Sequence, residues 1–218
     1  MKKSPTNLEM QKVYYKNQRN EMIDFIPSDS KRILDVGCSE GNFGECAKKY
    51  LNAEVWGIEL SEPAARVAAD KLDRVFSGDF FSVIGELPPN YFDCIVFNDV
   101  LEHFTDPDTV LYQCKNLLVP NGYIVSSIPN VRYIGNLVEL IIHKDWEYKS
   151  GGILDNTHYR FFTQKSILRM FRQSGYTILI NKGINPTRSF KTRVLAILTL
   201  GHMSDCKYLE FATVVRLS

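Results

Sequence analysis

The sequence predicts a doubly wound α/β fold with a mostly parallel sheet, and three observations carry that prediction. Short apolar runs rich in β-branched residues alternate with amphipathic segments of helical period through much of the chain. One run, Phe92–Asn98 (FDCIVFN), is almost continuously apolar, as a strand buried on both faces of a parallel sheet has to be. Three successive runs deliver an acid at or beside their ends, at Asp35, Glu59 and Asp79. That places polar groups at the carboxyl edge, where open α/β sheets bind ligands.

The elements follow in order. Residues 6–26 have helical spacing, with Met10, Val13, Tyr14, Met22 and Phe25 inward, and Pro27 ends this leading helix. Arg32–Val36 is a strand, followed by a glycine-rich turn and a helix over Phe43–Leu51. Glu54–Glu59 is the second strand. Pro63 opens the alanine-rich helix Ala64–Leu72 at a position where a missing N–H costs nothing, and Arg74–Ser77 is the third strand. After Phe92–Asn98, Thr105, Asp106 and Pro107 start a helix whose apolar stripe is Val110, Leu111, Cys114, Leu117 and Leu118. Asn121 and Gly122 are expected to close it before a fifth strand, Tyr123–Ile128. Beyond Pro129 the rhythm loosens. A helical stretch over Val131–His143 leads into a turn-rich aromatic segment, then a helix (Gln164–Ser174), a strand (Tyr176–Ile184), a helix (Phe190–Leu200) and a last strand (Glu210–Arg216).

The length suits one domain, 1–218, divided into a leading helix (1–30), a core (31–128) and two insertions, 129–162 and 185–207. The insertions are expected on the substrate side, because loops on a rigid scaffold commonly carry function. With 26 basic and 25 acidic residues the formal charge is +1, so no long-range field draws the chain to nucleic acid, which is not an expected partner. Five cysteines, Cys38, Cys46, Cys94, Cys114 and Cys206, form no C-x-x-C pair, which argues against a disulfide framework or a zinc knuckle. The N-terminus has no apolar stretch behind its lysines, and no run is long enough to span a bilayer; a cytoplasmic protein is expected. Composition leaves the oligomeric state open, a homodimer included.

The segment ILDVGCSEGNFG (33–44) is the most informative. A strand carries Asp35 to the sheet edge, Gly37 permits a tight turn, and Gly41 lets backbone approach a ligand at the next helix. Cys38 lies inside that turn. Glu59, eighteen residues past Gly41, is placed to accept both hydroxyls of an adenosine ribose. Asp79 can accept from an adenine amino group, with Phe80 or Leu60 over the ring and Asn98 at the end of the fourth strand. Read singly, Glu59 could be an acid at a helix start and Asp79 a turn residue. An acid before the glycine turn would repel a pyrophosphate, and Ser39 stands at the second glycine position of a dinucleotide fingerprint. An acid there attracts the ammonium end of a methionine moiety, which favours S-adenosylmethionine.

Asp35-x-Gly37-x-x-x-Gly41, Glu59, Gly78-Asp79 and FDCIVFNDVLEH resemble the ordered motifs of class I S-adenosylmethionine-dependent methyltransferases, over residues 31–128. YYKNQRNEM, VLEHFTDP, SIPNVRY and GILDNTHYRFFTQKSI are similar to methyltransferases found with bacterial glycosyltransferases in surface-polysaccharide synthesis. The resemblance implies a seven-stranded sheet with its last strand antiparallel. It also implies that Arg19 binds the cofactor's carboxylate; a solvated helix arginine is the alternative.

Methyl transfer from a sulfonium to a hydroxyl needs positioning and removal of a proton, by a base or by a metal ion. Asp99 and Glu102, three apart, and the adjacent His103 follow the fourth strand, where a turn of helix could converge their side chains, and His158 lies downstream. Acid-x-x-Glu-His with a later histidine resembles the divalent-metal site of ubiquinone-pathway and small-RNA 2′-O-methyltransferases, except that Asp99 stands where those have Glu. The set suits Mg²⁺ or Mn²⁺, and also Zn²⁺. Without a metal, His103 or His158 would be the base, with Asp99 in support, or the residues would be structural.

Trp146, Tyr148, Tyr159, Arg160 and Phe161 could form a sugar platform or a loop packing its own aromatics. Lys182, Arg188, Lys191 and Arg193 could hold an anionic carrier or form a solvated helix end. The first reading of function is therefore O-methylation of a glycan or a nucleotide- or lipid-linked sugar. The rivals are a small phenolic or quinone acceptor, a non-catalytic cofactor-binding partner of a glycosyltransferase, and, last, a nicotinamide dehydrogenase.

Overall fold

The computed structural model describes residues 19–217. Seven strands form one sheet in the order β3-β2-β1-β4-β5-β7-β6. They are β1 (Arg32–Val36), β2 (Glu54–Glu59), β3 (Arg74–Ser77), β4 (Phe92–Asn98), β5 (Leu118–Pro129), β6 (Tyr176–Pro186) and β7 (Tyr208–Leu217). The pairs from β3 through β5 are parallel, and β7 runs antiparallel to both β5 and β6. The longer helices are α1 (Asn42–Leu51), α2 (Glu62–Ala69), α3 (Pro107–Leu117), α4 (Gln164–Gln173) and α5 (Phe190–Leu198).

Side-chain alternation along the strands builds a core on each face of the sheet. Ile33, Val55, Cys94, Val96 and Val125 meet Phe43, Ala47 and Leu51 of α1 and Ala68 of α2 on one side. Leu34, Trp56, Ile95, Phe97 and Ile124 meet Val110, Leu111 and Cys114 of α3 and Ile167, Met170 and Phe171 of α4 on the other. Both faces are thus covered by helices, which is why the central strands read as unbroken apolar runs.

Several elements differ from the sequence reading for identifiable reasons. Residues 6–18 of the expected leading helix lie outside the described residues; the described part is a single helical turn, Asn20–Ile23, that buries Met22 and Ile23. Helix α3 stops at Leu117, and Leu118 already pairs with Phe92 as the start of β5. The register then shifts before Cys94 pairs with Tyr123, so Asn121, at φ 63°, belongs to an irregular stretch within β5 and not to a helix cap. The expected helix over Val131–His143 is one α-turn, Ile134–Val138, widening into a five-residue turn, Glu139–His143, and neither buries a residue.

Close packing connects the sheet to the glycine turn. Gly57 on β2 stands opposite Asp35, and a Cβ there would lie 2.5 Å from Cys38 Sγ and 2.8 Å from Leu72 Cδ1. Gly57→Ala is therefore expected to cost about 1–3 kcal/mol through overpacking, a fall of several degrees in melting temperature for a chain of this size. Thermal melts check this; an unchanged midpoint would show that the turn has slack.

Candidate active site

The turn after β1 is built from left-handed backbone. Gly37 has φ 74°, Ser39 φ 53° and Gly41 φ 76°. The two glycines also face close neighbours: a Cβ on Gly37 would lie 2.6 Å from Val100 Cγ2, and one on Gly41 would lie 3.0 Å from the Ala68 Cα. Contact with Val100 seats this turn directly against the segment after β4.

Glu59 is buried and holds two backbone N–H groups. Its Oε2 accepts from Ser39 N and its Oε1 from Ser61 N, each at 2.8 Å. The bond to Ser61, which caps α2, corresponds to the helix-start role raised from the sequence. A carboxylate has about four lone-pair sites, so two acceptor positions remain. Asp79 is exposed and caps the short turn Phe80–Val83, its Oδ1 accepting from Phe81 N at 3.0 Å and Ser82 N at 3.2 Å. Phe80 is buried in the core, whereas Leu60 is exposed. Phe81, which sequence reasoning passed over, is exposed at this edge and makes edge contacts with Phe80 and Phe104.

Asp35 is buried at the end of β1, and its Oδ2 has no hydrogen-bond partner among the described residues. Burial, with the neighbouring Glu59 carboxylate as the second cause, pushes its pKa up to about 8. The unfolded chain releases this proton near pH 4, the folded chain only near pH 8. The folded state therefore binds more protons across that window, and cofactor-free stability should decline as pH rises from about 4 to about 8. Asp35→Asn is expected to flatten this dependence, measured by denaturant unfolding at several pH values; an identical slope in both proteins would remove Asp35 as its source.

After β4 the chain turns sharply. Asp99 has φ 55°, and Leu101–His103 forms a single 3-10 turn. The aromatic segment is pinned beneath it, because Tyr159 N and Arg160 N both donate to the Glu102 carbonyl, at 2.9 and 3.1 Å. This pairing brings His158 to Glu102, with Nε2 3.9 Å from Oε1. The ligand atoms of Glu102, His103 and His158 all lie within 4.8 Å of one another. Glu102 is only 1% exposed, and neither carboxylate oxygen has a hydrogen-bond partner among the described residues. Burial, then the Asp99 charge, holds its carboxyl well above the ordinary range.

Both imidazoles are oriented through Nδ1. His158 Nδ1 donates to the Ile153 carbonyl at 2.9 Å. His103 Nδ1 lies 3.2 Å from the Thr157 carbonyl and 3.1 Å from Thr157 Oγ1, which in turn donates to Asp155 Oδ1 at 2.6 Å. With Nδ1 protonated in this way, each Nε2 carries the lone pair. Burial, then the neighbouring His158, lowers the pKa of His103.

Asp99 is close enough for its charge to act on Glu102, but its oxygens are not among the converging ligand atoms. Its carboxylate pairs with Arg19 and accepts from Ser127 Oγ at 2.9 Å. The left-handed backbone at Asp99, which regular helical spacing does not anticipate, accounts for the separation. Arg19 also donates to Glu210 Oε2 at 2.6 Å, and its Nε lies 3.0 Å from Glu21 Oε1, so three carboxylates of the chain engage its guanidinium. Burial pushes Glu210 up to about 7, with the Asp99 charge adding to the shift. Glu210 was missed from sequence, although a lone acid inside the apolar run YLEFATVV is a usable signal. Asn98 ends β4 with both side-chain amide atoms buried and unpartnered among the described residues. Of the platform residues, Trp146 and Tyr148 pack on Phe161 and Arg160 donates to the Thr105 carbonyl, while Tyr148 and Tyr159 are exposed.

Sheet order and edge chemistry together define a class, the doubly wound α/β proteins that gather polar groups at the carboxyl ends of their strands. Within it, a model described as "Methyltransferase domain" matches residues 10–180, and the chain belongs to that family. The protein is an S-adenosylmethionine-dependent methyltransferase. It is 34% identical over 170 residues to the ubiquinone biosynthesis O-methyltransferase of Paraburkholderia phymatum, covering 73% of this chain and 72% of that protein. The protein of the same name from Neisseria meningitidis serogroup C is 28% identical over 162 residues, 71% and 67% of the two chains. A solved methyltransferase structure from Archaeoglobus fulgidus superposes with a TM-score of 0.72 at 17% identity, over 95% and 98% of the two chains. The non-catalytic and dehydrogenase readings fall with the family assignment. Among the described residues, no helix is long and apolar enough to cross a membrane.

Proposed function

We propose that the enzyme transfers the methyl group of S-adenosylmethionine to a hydroxyl of a small phenolic or quinone-type acceptor. The observation that carries this reading is the buried, unpartnered Glu102 carboxylate facing His103 and His158 beside the cofactor turn. The acceptor class is supported by the curated relatives, which are named for ubiquinone biosynthesis. That name supports a phenolic or quinone-type acceptor over a glycan, so the phenolic reading is preferred.

In this reading Asp35 attracts the cationic methionine end and Glu59 receives the ribose hydroxyls on its remaining lone pairs. Asp79 takes the adenine amino group, with Phe81 the aromatic available at the ring. Gly37, Cys38 and Gly41 shape the turn, and Asn98 and Arg19 face the methionine side. The reaction forms an O–C bond as the S–C bond breaks, and the sulfonium leaves as a neutral thioether. The acceptor's proton passes to the Nε2 lone pair of His103 or His158. Glu102 stabilises the imidazolium that results, an ion pair strengthened by burial.

The donor set also fits a divalent cation, since one unpartnered buried carboxylate and two Nε2 lone pairs converge there. Glu102, His103 and His158 would hold it, without Asp99, and the ion would supply a lowered pKa for the acceptor hydroxyl. Turnover of small phenols or quinone-type hydroxyls is expected, with little on sugars or nucleotide sugars. Sugar methylation without phenol methylation would overturn the proposal. Assays with and without chelator decide between the ion and imidazole alone as the activating group, and His103→Ala and His158→Ala should each depress kcat under both.

A further inference from the structure

Helix α5 is inverted relative to the rest of the protein. At 100° per residue, Phe190, Val194, Ile197 and Leu198 fall within an arc of about 100°, and this apolar stripe points outward. Phe190 is 73% exposed, Ile197 75% and Leu198 76%, and Leu200 just beyond the helix reaches 91%. The helix instead buries Thr192, on the opposite side, whose Oγ1 donates to the Ser189 carbonyl at 2.7 Å. Leaving the large apolar side chains out and turning a threonine in is unfavourable in water unless something covers the stripe.

Charge identifies what covers it. Between Ile184 and Ser204 the sequence carries Arg188, Lys191 and Arg193 and no acid. Position 193 flanks the apolar arc and Arg188 lies just before the helix, and both arginines are exposed. An apolar stripe bordered by basic residues matches an anionic lipid surface, which takes the stripe at the acyl boundary and the cations at the headgroups. A second copy of the chain fits less well, because a two-fold contact through this stripe would bring two sets of basic flanks together. We infer that α5 seats the enzyme on anionic membrane surfaces, lying in the interface and not spanning it. This inference does not depend on which acceptor the active site takes.

The test is co-sedimentation of the full chain with vesicles of phosphatidylcholine alone and of phosphatidylcholine mixed with phosphatidylglycerol. The wild type is expected to sediment with the anionic vesicles only. Ile197→Asp/Leu198→Asp and Arg188→Glu/Arg193→Glu should each weaken that binding at least tenfold, while an unchanged melting temperature and unchanged S-adenosylhomocysteine binding show the fold intact. The inference is overturned if the wild type ignores anionic vesicles or if both variants bind them equally well. It is also overturned if light scattering without lipid shows a dimer that Ile197→Asp/Leu198→Asp converts to monomer, since the stripe would then be a self-interface.

Discussion

Glu102→Gln should lower kcat by roughly 10²- to 10⁴-fold, because the imidazole that takes the acceptor's proton loses the carboxyl that supports its charged form, while leaving the affinity for S-adenosylhomocysteine within about twofold. The substitution preserves size and removes the ionisable carboxyl that faces the two imidazoles. Glu102 makes no side-chain hydrogen bond among the described residues, so the fold loses no side-chain hydrogen bond there. Its backbone carbonyl, which receives Tyr159 N and Arg160 N, is untouched, so His158 stays in position. The outcome therefore separates chemistry from architecture. A variant with near-normal kcat would show that the trio is a packing feature and that methyl transfer is organised elsewhere.

Glu59→Ala should have its large effect on the other side of the site, weakening the cofactor by about 100-fold. That magnitude follows from two hydrogen bonds to a charged group at about 1.5 kcal/mol each, the low end of the usual range. The same side chain ties Ser39 N and Ser61 N together, so the alanine variant should also lose thermal stability without ligand. Glu59→Gln distinguishes the two contributions. Its amide keeps one acceptor for the turn but loses the charge, so it should recover much of the melting temperature and little of the affinity. Equal recovery of both would mean that Glu59 acts on the cofactor only by holding the turn.

These two sites were legible in the sequence to different degrees. Asp35, Gly37, Gly41 and Glu59 could be placed because strand ends and glycine turns are local features, and the sheet register then aligns them without further information. Glu102, His103 and His158 could be named as a group, but their convergence depends on the pairing of residues 159 and 160 with the Glu102 carbonyl, a long-range contact with no local signature. Asp99 illustrates the opposite case. Helical spacing groups it with Glu102, yet a left-handed residue after β4 turns it towards Arg19 and Ser127. The bulged start of β5 was hidden for a similar reason, since Asn121-Gly122 is as good a signal for irregular strand as for a helix end. The inverted helix α5 looked like any apolar helix until its exposed face was known.

The most direct measurement is a crystal structure of the enzyme with S-adenosylhomocysteine and a small phenolic acceptor. The account predicts the adenosine between Glu59 and Asp79, the thioether near Asp35 and the post-β4 turn, and an acceptor hydroxyl within hydrogen-bonding distance of the Glu102–His103–His158 cluster. An acceptor oxygen lying away from those three side chains, with the thioether directed elsewhere, would contradict it.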